Sequence, residues 1–301
     1  MLLERLSPAL FVALWSTGWV MAKYADLYAD PLTFLVMRYG LAALIFAGLC
    51  RAMKVPRLSR PGASLHAVFS GMFLHGFYLG AVWWAIGQGV PAAISGIIAG
   101  LQPLMTALAA PAMTGERLSG LQRLGLVFGF CGIALAVLPK ALASGALGAE
   151  AVPLFPVLVN ITGMASVSFG TLYQKRFLQE GDLRRIACLQ YIGALIVTIP
   201  AALMLEDLRV IWSFELFAAL GWAVLALSVG AIGLLLYLIR RGQVSRAASL
   251  IYLVPPLAAF EAYLMFGEPL TAPMIAGTAI AVAGVYLTNR KGRVGAAATA
   301  S

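Results

Sequence analysis

Charged residues are scarce in this chain of 301 residues, where they make up 11% of the sequence against 61% hydrophobic residues. A soluble domain carries about one quarter charged residues, because its surface must face water. The composition therefore excludes an ordinary soluble domain. Together with a mean hydropathy of +0.91, it predicts an integral membrane protein whose partner is the lipid bilayer.

Cysteine and histidine are also rare, with three and two residues. The cysteines lie in or beside apolar runs without metal-ligand or redox spacing, which favours packing roles for Cys50, Cys131 and Cys188. No His-Glu-x-x-His, Gly-x-Gly-Asp or Gly-x-Ser-x-Gly motif occurs. An intramembrane enzyme is therefore disfavoured, and we expect neither a metal nor a cofactor. The chain also has no Walker A motif, which argues against pumping driven by ATP bound to this chain.

Acidic residues number only 12, against 21 lysines and arginines. The basic residues lie in short loops and form no large basic face, so membrane orientation explains them better than nucleic-acid binding. If the N-terminus is cytoplasmic, only Lys23, Lys140 and Arg209 fall outside and Arg38 lies within a span, which leaves 17 of the 21 inside. This split predicts a multi-pass protein of the plasma (bacterial inner) membrane with both termini cytoplasmic.

Ten apolar segments approach the length of about 20 residues that a helix needs to cross a bilayer. They are 8–24, 32–50, 65–86, 91–113, 120–138, 153–173, 186–204, 214–239, 244–266 and 272–289. The chain therefore predicts ten transmembrane helices.

The sequence contains an internal repeat at one constant offset. The offset pairs Pro103 with Pro255, Gly115 with Gly267, Glu116 with Glu268, Gly125 with Gly277, Gly132 with Gly284, Ser16 with Ser168, Lys23 with Lys175 and Tyr39 with Tyr191. We therefore predict two copies of one unit, residues 1–140 and 153–292, with a linker at 141–152 and a disordered tail at 293–301. Each copy holds five spans, an odd number, so the two copies cross the membrane in opposite directions. The predicted fold is an all-α membrane protein of two inverted five-helix repeats, an architecture typical of alternating-access carriers, and we expect a monomer.

Several stretches carry a resemblance to a known family. The first helix reads LWSTGWVMAKYA, the second opens with PLTFLVMRYGLAALIF, and two Gly-Glu-x-Leu turns each precede a glycine-spaced helix. The chain resembles the drug/metabolite transporter superfamily, more narrowly the ten-helix EamA-type exporters, and within them the aromatic amino acid exporter group typified by YddG. The resemblance covers about residues 8–290, and it implies an exporter whose third span lines a central cavity.

Two kinds of residue recur at matching places in both repeats. Pro103 and Pro255 lie near the middle of the fourth and ninth spans, where a missing backbone donor bends a helix, so we predict hinges there. Glu116 and Glu268 each precede a new helix, where a carboxylate can accept hydrogen bonds from free backbone amides. We expect them to be helix caps, with a gating role as the alternative.

Small residues repeat every three or four positions on the fifth and tenth spans, which predicts close helix packing within the monomer. The residues concerned are Gly125, Gly129, Gly132, Gly277, Ala281 and Gly284.

Polar and aromatic side chains at mid-span depth suit a cavity for an amphipathic solute. The predicted substrate-binding residues are Ser16, Trp19, His75, Tyr78, Gln102, Asn160, Met164, Ser249 and Tyr252. Arg38 and Glu261 also lie within spans, and we expect structural roles for them. They could pair with each other, pair with neighbouring polar groups, or reach toward the interface.

The predicted lining contains no acid, which favours a zwitterion with a sizeable apolar side chain over a bare cation. We therefore expect secondary transport of aromatic and other neutral amino acids out of the cell by alternating access. His75 is the only ionisable group expected at the midplane, so we predict a facilitator in which His75 forms hydrogen bonds and carries no proton. The alternative is a proton-coupled exporter of drugs or quaternary amines.

Overall fold

The structure is a computed structural model that describes residues 2–114, 118–142, 152–231, 233–234 and 253–289. Among the predicted features, Glu116, Ser249, Tyr252, the tail at 293–301 and most of the linker at 141–152 lie outside these residues.

Almost all of the described chain is helical, and each of the ten predicted spans contains a described helix. The helices are α1 (Leu2–Asp26), α2 (Pro31–Ala52), α3 (Ala63–Gly87), α4 (Ala92–Ile98), α5 (Leu101–Thr114), α6 (Gly120–Leu142), α7 (Leu154–Phe177), α8 (Leu183–Leu205), α9 (Phe214–Gly230), α10 (Val254–Phe266) and α11 (Ala272–Asn289). The fourth span is divided into α4 and α5. Six spans are long and apolar enough to cross a membrane by themselves, and α9, α10 and α11 are shorter apolar helices.

The helix ends follow local sequence signals. Asp182 and Ser213 accept hydrogen bonds from the first-turn amides of α8 and α9, as N-capping side chains do. Pro31 occupies the first turn of α2, where its missing amide hydrogen costs nothing. Gly267 ends α10 with a φ of 65°, a left-handed conformation that suits glycine.

The two halves of the chain pack into each other. The second span contacts the seventh, the fourth contacts the ninth, and the fifth contacts the tenth. Two further sets of contacts are related by the repeat. The first span contacts the ninth as the sixth contacts the fourth, and the third contacts the seventh as the eighth contacts the second. This arrangement is that of two related units around a common axis.

Helices α6 and α11 cross each other closely. A Cβ atom on Gly132 would lie 2.5 Å from Ala281 N, and one on Gly125 would lie 2.6 Å from Thr288 N. Since the glycines of each helix face the backbone of the other, the predicted small-residue faces pack against each other within one chain.

The helix ends define two faces of the bundle. One face, here called the basic face, carries the α2–α3 and α7–α8 loops with Arg51, Lys54, Arg57, Arg60, Lys175, Arg176, Arg184 and Arg185. The other, here called the acidic face, carries Asp26, Asp30, Glu206, Asp207, Glu215 and Glu268. At the acidic face, a short antiparallel bridge between Ala29 and Val210 joins the two halves.

Candidate functional site

A cavity of about 270 Å³ lies between the two halves. Its lining comes from both repeats and consists of Trp15, Gly18, Trp19, Arg38, Leu74, His75, Tyr78, Leu79, Val82, Trp83, Gln102, Val167, Thr171, Gln174, Leu183, Ile186, Ala187, Gln190, Tyr191, Leu227 and Ala231. Rings and apolar side chains dominate this lining, with a few hydrogen-bonding groups between them. That mixture is typical of small-molecule sites.

Two π-helical segments flank the cavity at matching places in the repeat. They are Met72–Phe77 within α3 and Trp222–Gly230 within α9. Segments of this kind occur often at functional sites, because the wider turn changes which side chains face inward. Here they place His75 and its repeat equivalent Leu227 in the lining.

The lining positions are symmetric, but the residues on them differ. The offset that relates the repeats pairs Trp19 with Thr171, Arg38 with Gln190, and His75 with Leu227, and all six residues line the cavity. In each pair, the first repeat contributes a ring or a charge and the second a smaller or neutral group. At these three positions the first repeat therefore contributes the rings and the charge of the lining.

Four of the predicted substrate-binding residues line the cavity: Trp19, His75, Tyr78 and Gln102. His75 stacks on Tyr191 with ring centroids 4.8 Å apart. The Tyr39 hydroxyl donates a hydrogen bond to the His75 backbone carbonyl at 3.0 Å, which fixes this part of α3.

Three other predicted residues lie outside the cavity lining. Ser16 donates a hydrogen bond to Glu261 at 2.7 Å, and Asn160 donates one to Ser95 at 2.6 Å. Met164 is fully buried. In this conformation the Ser16 hydroxyl and the Asn160 amide nitrogen therefore bind neighbouring helices, while Asn160 Oδ1 has no hydrogen-bond partner among the described residues.

Arg38 lines the cavity, although the sequence predicted only a structural role for it. It does not pair with Glu261, which binds Ser16. It lines the cavity, is 6% exposed, and donates from Nε to Ser228 Oγ at 3.2 Å. Two features of the sequence could have indicated that Arg38 lines the cavity. It is a charge inside a span, and the equivalent position of the second repeat holds a neutral glutamine.

Glu268 caps a helix, but a different one from the helix expected. Its carboxylate accepts hydrogen bonds from Ala92 N at 3.0 Å and Ala93 N at 2.8 Å, at the start of α4, and it also pairs with Lys23 Nζ at 2.6 Å. The helix that follows it in sequence, α11, is not the one capped. One carboxylate thus joins α1, α4 and the end of α10 at the acidic face.

Glu206 forms a second link of this kind. It accepts hydrogen bonds from Leu32 N at 2.7 Å and Thr33 N at 2.8 Å, so it caps α2 across the two halves. Burial raises the pKa of the Glu206 carboxyl, while the hydrogen bonds from Leu32 and Thr33 lower it. Arg209 and Asp30 add a salt bridge at 3.2 Å nearby. The acidic face is therefore held together by ionic links between the repeats.

The cavity reaches toward the opposite face. Gln174 lies near the end of α7, and Leu183 begins α8, both beside the basic loops. The linked acidic face lies at the other end of the bundle.

A helical bundle of two related halves, long and apolar enough to span a membrane and enclosing a mixed aromatic and polar cavity, defines a membrane transport protein. Sequence comparison gives its family. The EamA-like transporter family matches residues 6–138 and again residues 154–290, so the chain belongs to that family. The prediction of an all-α protein with ten membrane helices is confirmed, and so is the resemblance to the drug/metabolite transporter superfamily.

Individual relatives are distant but match nearly the whole chain. "Uncharacterized transporter YvbV" of Bacillus subtilis is 25% identical over 309 residues, covering 96% of this chain and 92% of the relative. A "Probable amino-acid metabolite efflux pump" of Salmonella typhimurium is 24% identical over 287 residues, covering 92% of each. One crystal structure shares the fold with a TM-score of 0.66 at 18% identity, covering 95% of this chain and 96% of the other.

Proposed function

We propose that the protein exports aromatic and other neutral amino acids by alternating access through the central cavity. The observation that carries this proposal is the lining, in which Trp19 and Tyr78 lie beside the hydrogen-bonding His75 and Gln102, with no acid among the described lining residues. A zwitterion can place its side chain against the rings and its polar ends against the hydrogen-bonding groups. A bare cation would lack a counter-charge. The efflux pump name of the Salmonella relative agrees with this class of solute.

The two faces support the proposed direction of transport. We infer that the basic face is cytoplasmic, because lysine and arginine accumulate in cytoplasmic loops. The cavity extends toward Gln174 and Leu183 at that face, while Glu268 and Glu206 link the helices at the acidic face. This conformation suits the uptake of solute from the cytoplasm, which is the first step of export.

The described lining contains few groups that could couple transport to a proton or ion gradient. No aspartate or glutamate belongs to the described lining, and a buried imidazole is less costly in its neutral form than in its charged form. We therefore propose a facilitator that lets the amino acid run down its own gradient, with His75 as a hydrogen-bonding group.

Flux measurements in proteoliposomes test this function. We expect the purified protein to carry labelled phenylalanine, with competition by Trp and Met and none by lipophilic cations. A proton gradient alone should not concentrate the label. Competition by cations and not by amino acids would reverse the choice of solute. Accumulation driven by a proton gradient and lost in His75→Gln, with exchange spared, would replace the facilitator by a proton-coupled carrier.

The two prolines provide a prediction about the conformational change. The helix of the fourth span breaks at Ala99 and Gly100, so Pro103 lies in the first turn of α5, and Pro255 lies in the first turn of α10. A proline in the first turn disfavours continuation of the helix into the preceding residues, because its ring clashes with the turn before it, and alanine removes that barrier. We expect Pro103→Ala and Pro255→Ala each to slow turnover several-fold while the protein still reaches the membrane.

Pro111 supplies the matched control for this experiment. It lies inside α5 and has no proline at the equivalent position of the second repeat. Flux through Pro111→Ala should stay near that of the wild type. If both Pro103→Ala and Pro255→Ala also show wild-type flux, the two prolines are not hinges.

A further inference from the structure

Arg38 is a buried charge beside the cavity. Its Nε donates to Ser228, its guanidinium carbon lies 5.8 Å from the centre of the Trp83 ring, and the residue is 6% exposed. Within the described part of the chain, no carboxylate forms a salt bridge with Arg38 and no hydrogen bond from Nη1 or Nη2 is present. The terminal nitrogens of this guanidinium are thus left for a ligand.

A charge in this position is costly without a partner of opposite sign. A guanidinium removed from water inside a membrane protein loses its hydration, and a ring contact together with one neutral hydrogen bond replaces only part of it. The described lining contains no acid. Trp19 Nε1 is a second buried donor without a partner. Two lining residues, Arg38 and Trp19, therefore hold buried donors without a partner among the described residues, and a solute carboxylate would supply acceptors for them.

The second repeat shows that the fold does not need a charge at this position. The residue equivalent to Arg38 is Gln190, which also lines the cavity. Its amide donates hydrogen bonds to Ser70 at 3.1 Å and to Gln174 at 2.8 Å. A neutral, hydrogen-bonded amide can thus occupy the equivalent position of the other repeat. The fold alone therefore does not explain why residue 38 is charged.

We propose that Arg38 binds the carboxylate of the transported solute. This proposal rests on the proposed function, and it narrows the solute to molecules with a free carboxylate. A guanidinium matches a carboxylate with two parallel N–H donors, which fixes orientation as well as charge. The solute then lies with its carboxylate at Arg38 and its side chain among the rings of Trp19, Trp83 and Tyr78.

Phenylalanine and phenylalaninamide separate this role from a structural one, since they share the ring and the ammonium group and differ at the carboxylate. In liposomes containing the wild-type protein, we expect unlabelled phenylalanine to inhibit the uptake of labelled phenylalanine at least tenfold more strongly than the amide does. In Arg38→Gln, inhibition by phenylalanine should weaken by about 30-fold or more, as expected for loss of one partner of a buried charge pair. Inhibition by the amide should change little, so the preference disappears. Arg38→Lys keeps the charge without the two-pronged geometry and should retain part of the preference.

The outcomes distinguish this inference from the proposed function. If wild-type protein carries no amino acid, the function and the role of Arg38 fail together. If it carries phenylalanine but does not distinguish the amide, or if Arg38→Gln keeps the wild-type preference, the role of Arg38 is overturned and the function stands. The wild-type comparison needs no variant, so a protein that does not distinguish the amide overturns the role of Arg38 even if Arg38→Gln does not reach the membrane.

Discussion

Replacing Glu268 with glutamine is expected to open the acidic face and to raise solvent access to the cavity from that side by tenfold or more. The Glu268 carboxylate accepts hydrogen bonds from two backbone amides of α4 and from Lys23. Glutamine offers one acceptor oxygen, and its NH2 group faces a backbone donor. A hydrogen bond to a charged group contributes about 1.5–3 kcal/mol, and about 1.4 kcal/mol corresponds to a factor of ten. The Lys23 side chain is 37% exposed, so the ion pair with Lys23 contributes less than the amide contacts.

A reporter cysteine measures this opening. Leu79 lines the cavity, so Leu79→Cys in a variant without Cys50, Cys131 and Cys188 gives one thiol whose labelling reports access. A membrane-impermeant maleimide added separately to each side of sealed vesicles should react faster from the acidic face in Glu268→Gln. Glu215 is the matched control, because it is an exposed glutamate on the same face, in the first turn of α9. Equal labelling in Glu268→Gln and Glu215→Gln would mean that Glu268 does not hold this face closed.

The sequence predicted the features that depend on symmetry. The mirrored prolines, the paired Gly-Glu-x-Leu turns and the small faces of the fifth and tenth spans all follow from one offset along the chain. Gly132 and Gly277 lie in one crossing, as a repeat of this kind implies, whereas the hinge role of Pro103 and Pro255 stays a prediction. Composition and span length were sufficient to predict the fold class, because a helix that crosses lipid must be both apolar and long enough to span it.

The partners of individual side chains were harder to predict. Glu268 contacts Ala92 and Ala93, which lie far from it in sequence, so the helix that it caps depends on how the two halves dock. The lining was also only partly predicted. In a membrane, both the lipid side and the protein side of a helix are apolar, so hydrophobicity does not show which face points inward. Ser16 and Asn160 bind neighbouring helices, whereas Arg38 lines the cavity, and only packing distinguishes these cases.

Replacing Gly277 with alanine is expected to destabilise the protein, although alanine is the better helix former. An added Cβ at Gly277 would lie 2.6 Å from Ala136 N, closer than real Cβ contacts allow. Overpacking of this kind typically costs about 1–3 kcal/mol. On an uncrowded helix the same change would favour folding by about 1 kcal/mol. The sign of the effect therefore tests whether α6 and α11 pack as closely as the structure shows, and Gly277→Leu should be more harmful than Gly277→Ala.

Thermal unfolding in detergent measures this effect, with the loss of the monodisperse size-exclusion peak as the readout. Each kcal/mol of unfolding free energy corresponds to about 2–4 °C in Tm for a chain of 150–250 residues, and the shift in this longer chain should be similar or smaller. Gly277→Ala should therefore lower the Tm by several degrees. Ala279→Leu is the matched control, because Ala279 lies two residues further along α11 and is exposed. It should leave the Tm within about one degree, since a larger apolar side chain there meets lipid or detergent. A higher Tm for Gly277→Ala would contradict the close crossing, because it would mean that helix propensity outweighs the contact between α6 and α11.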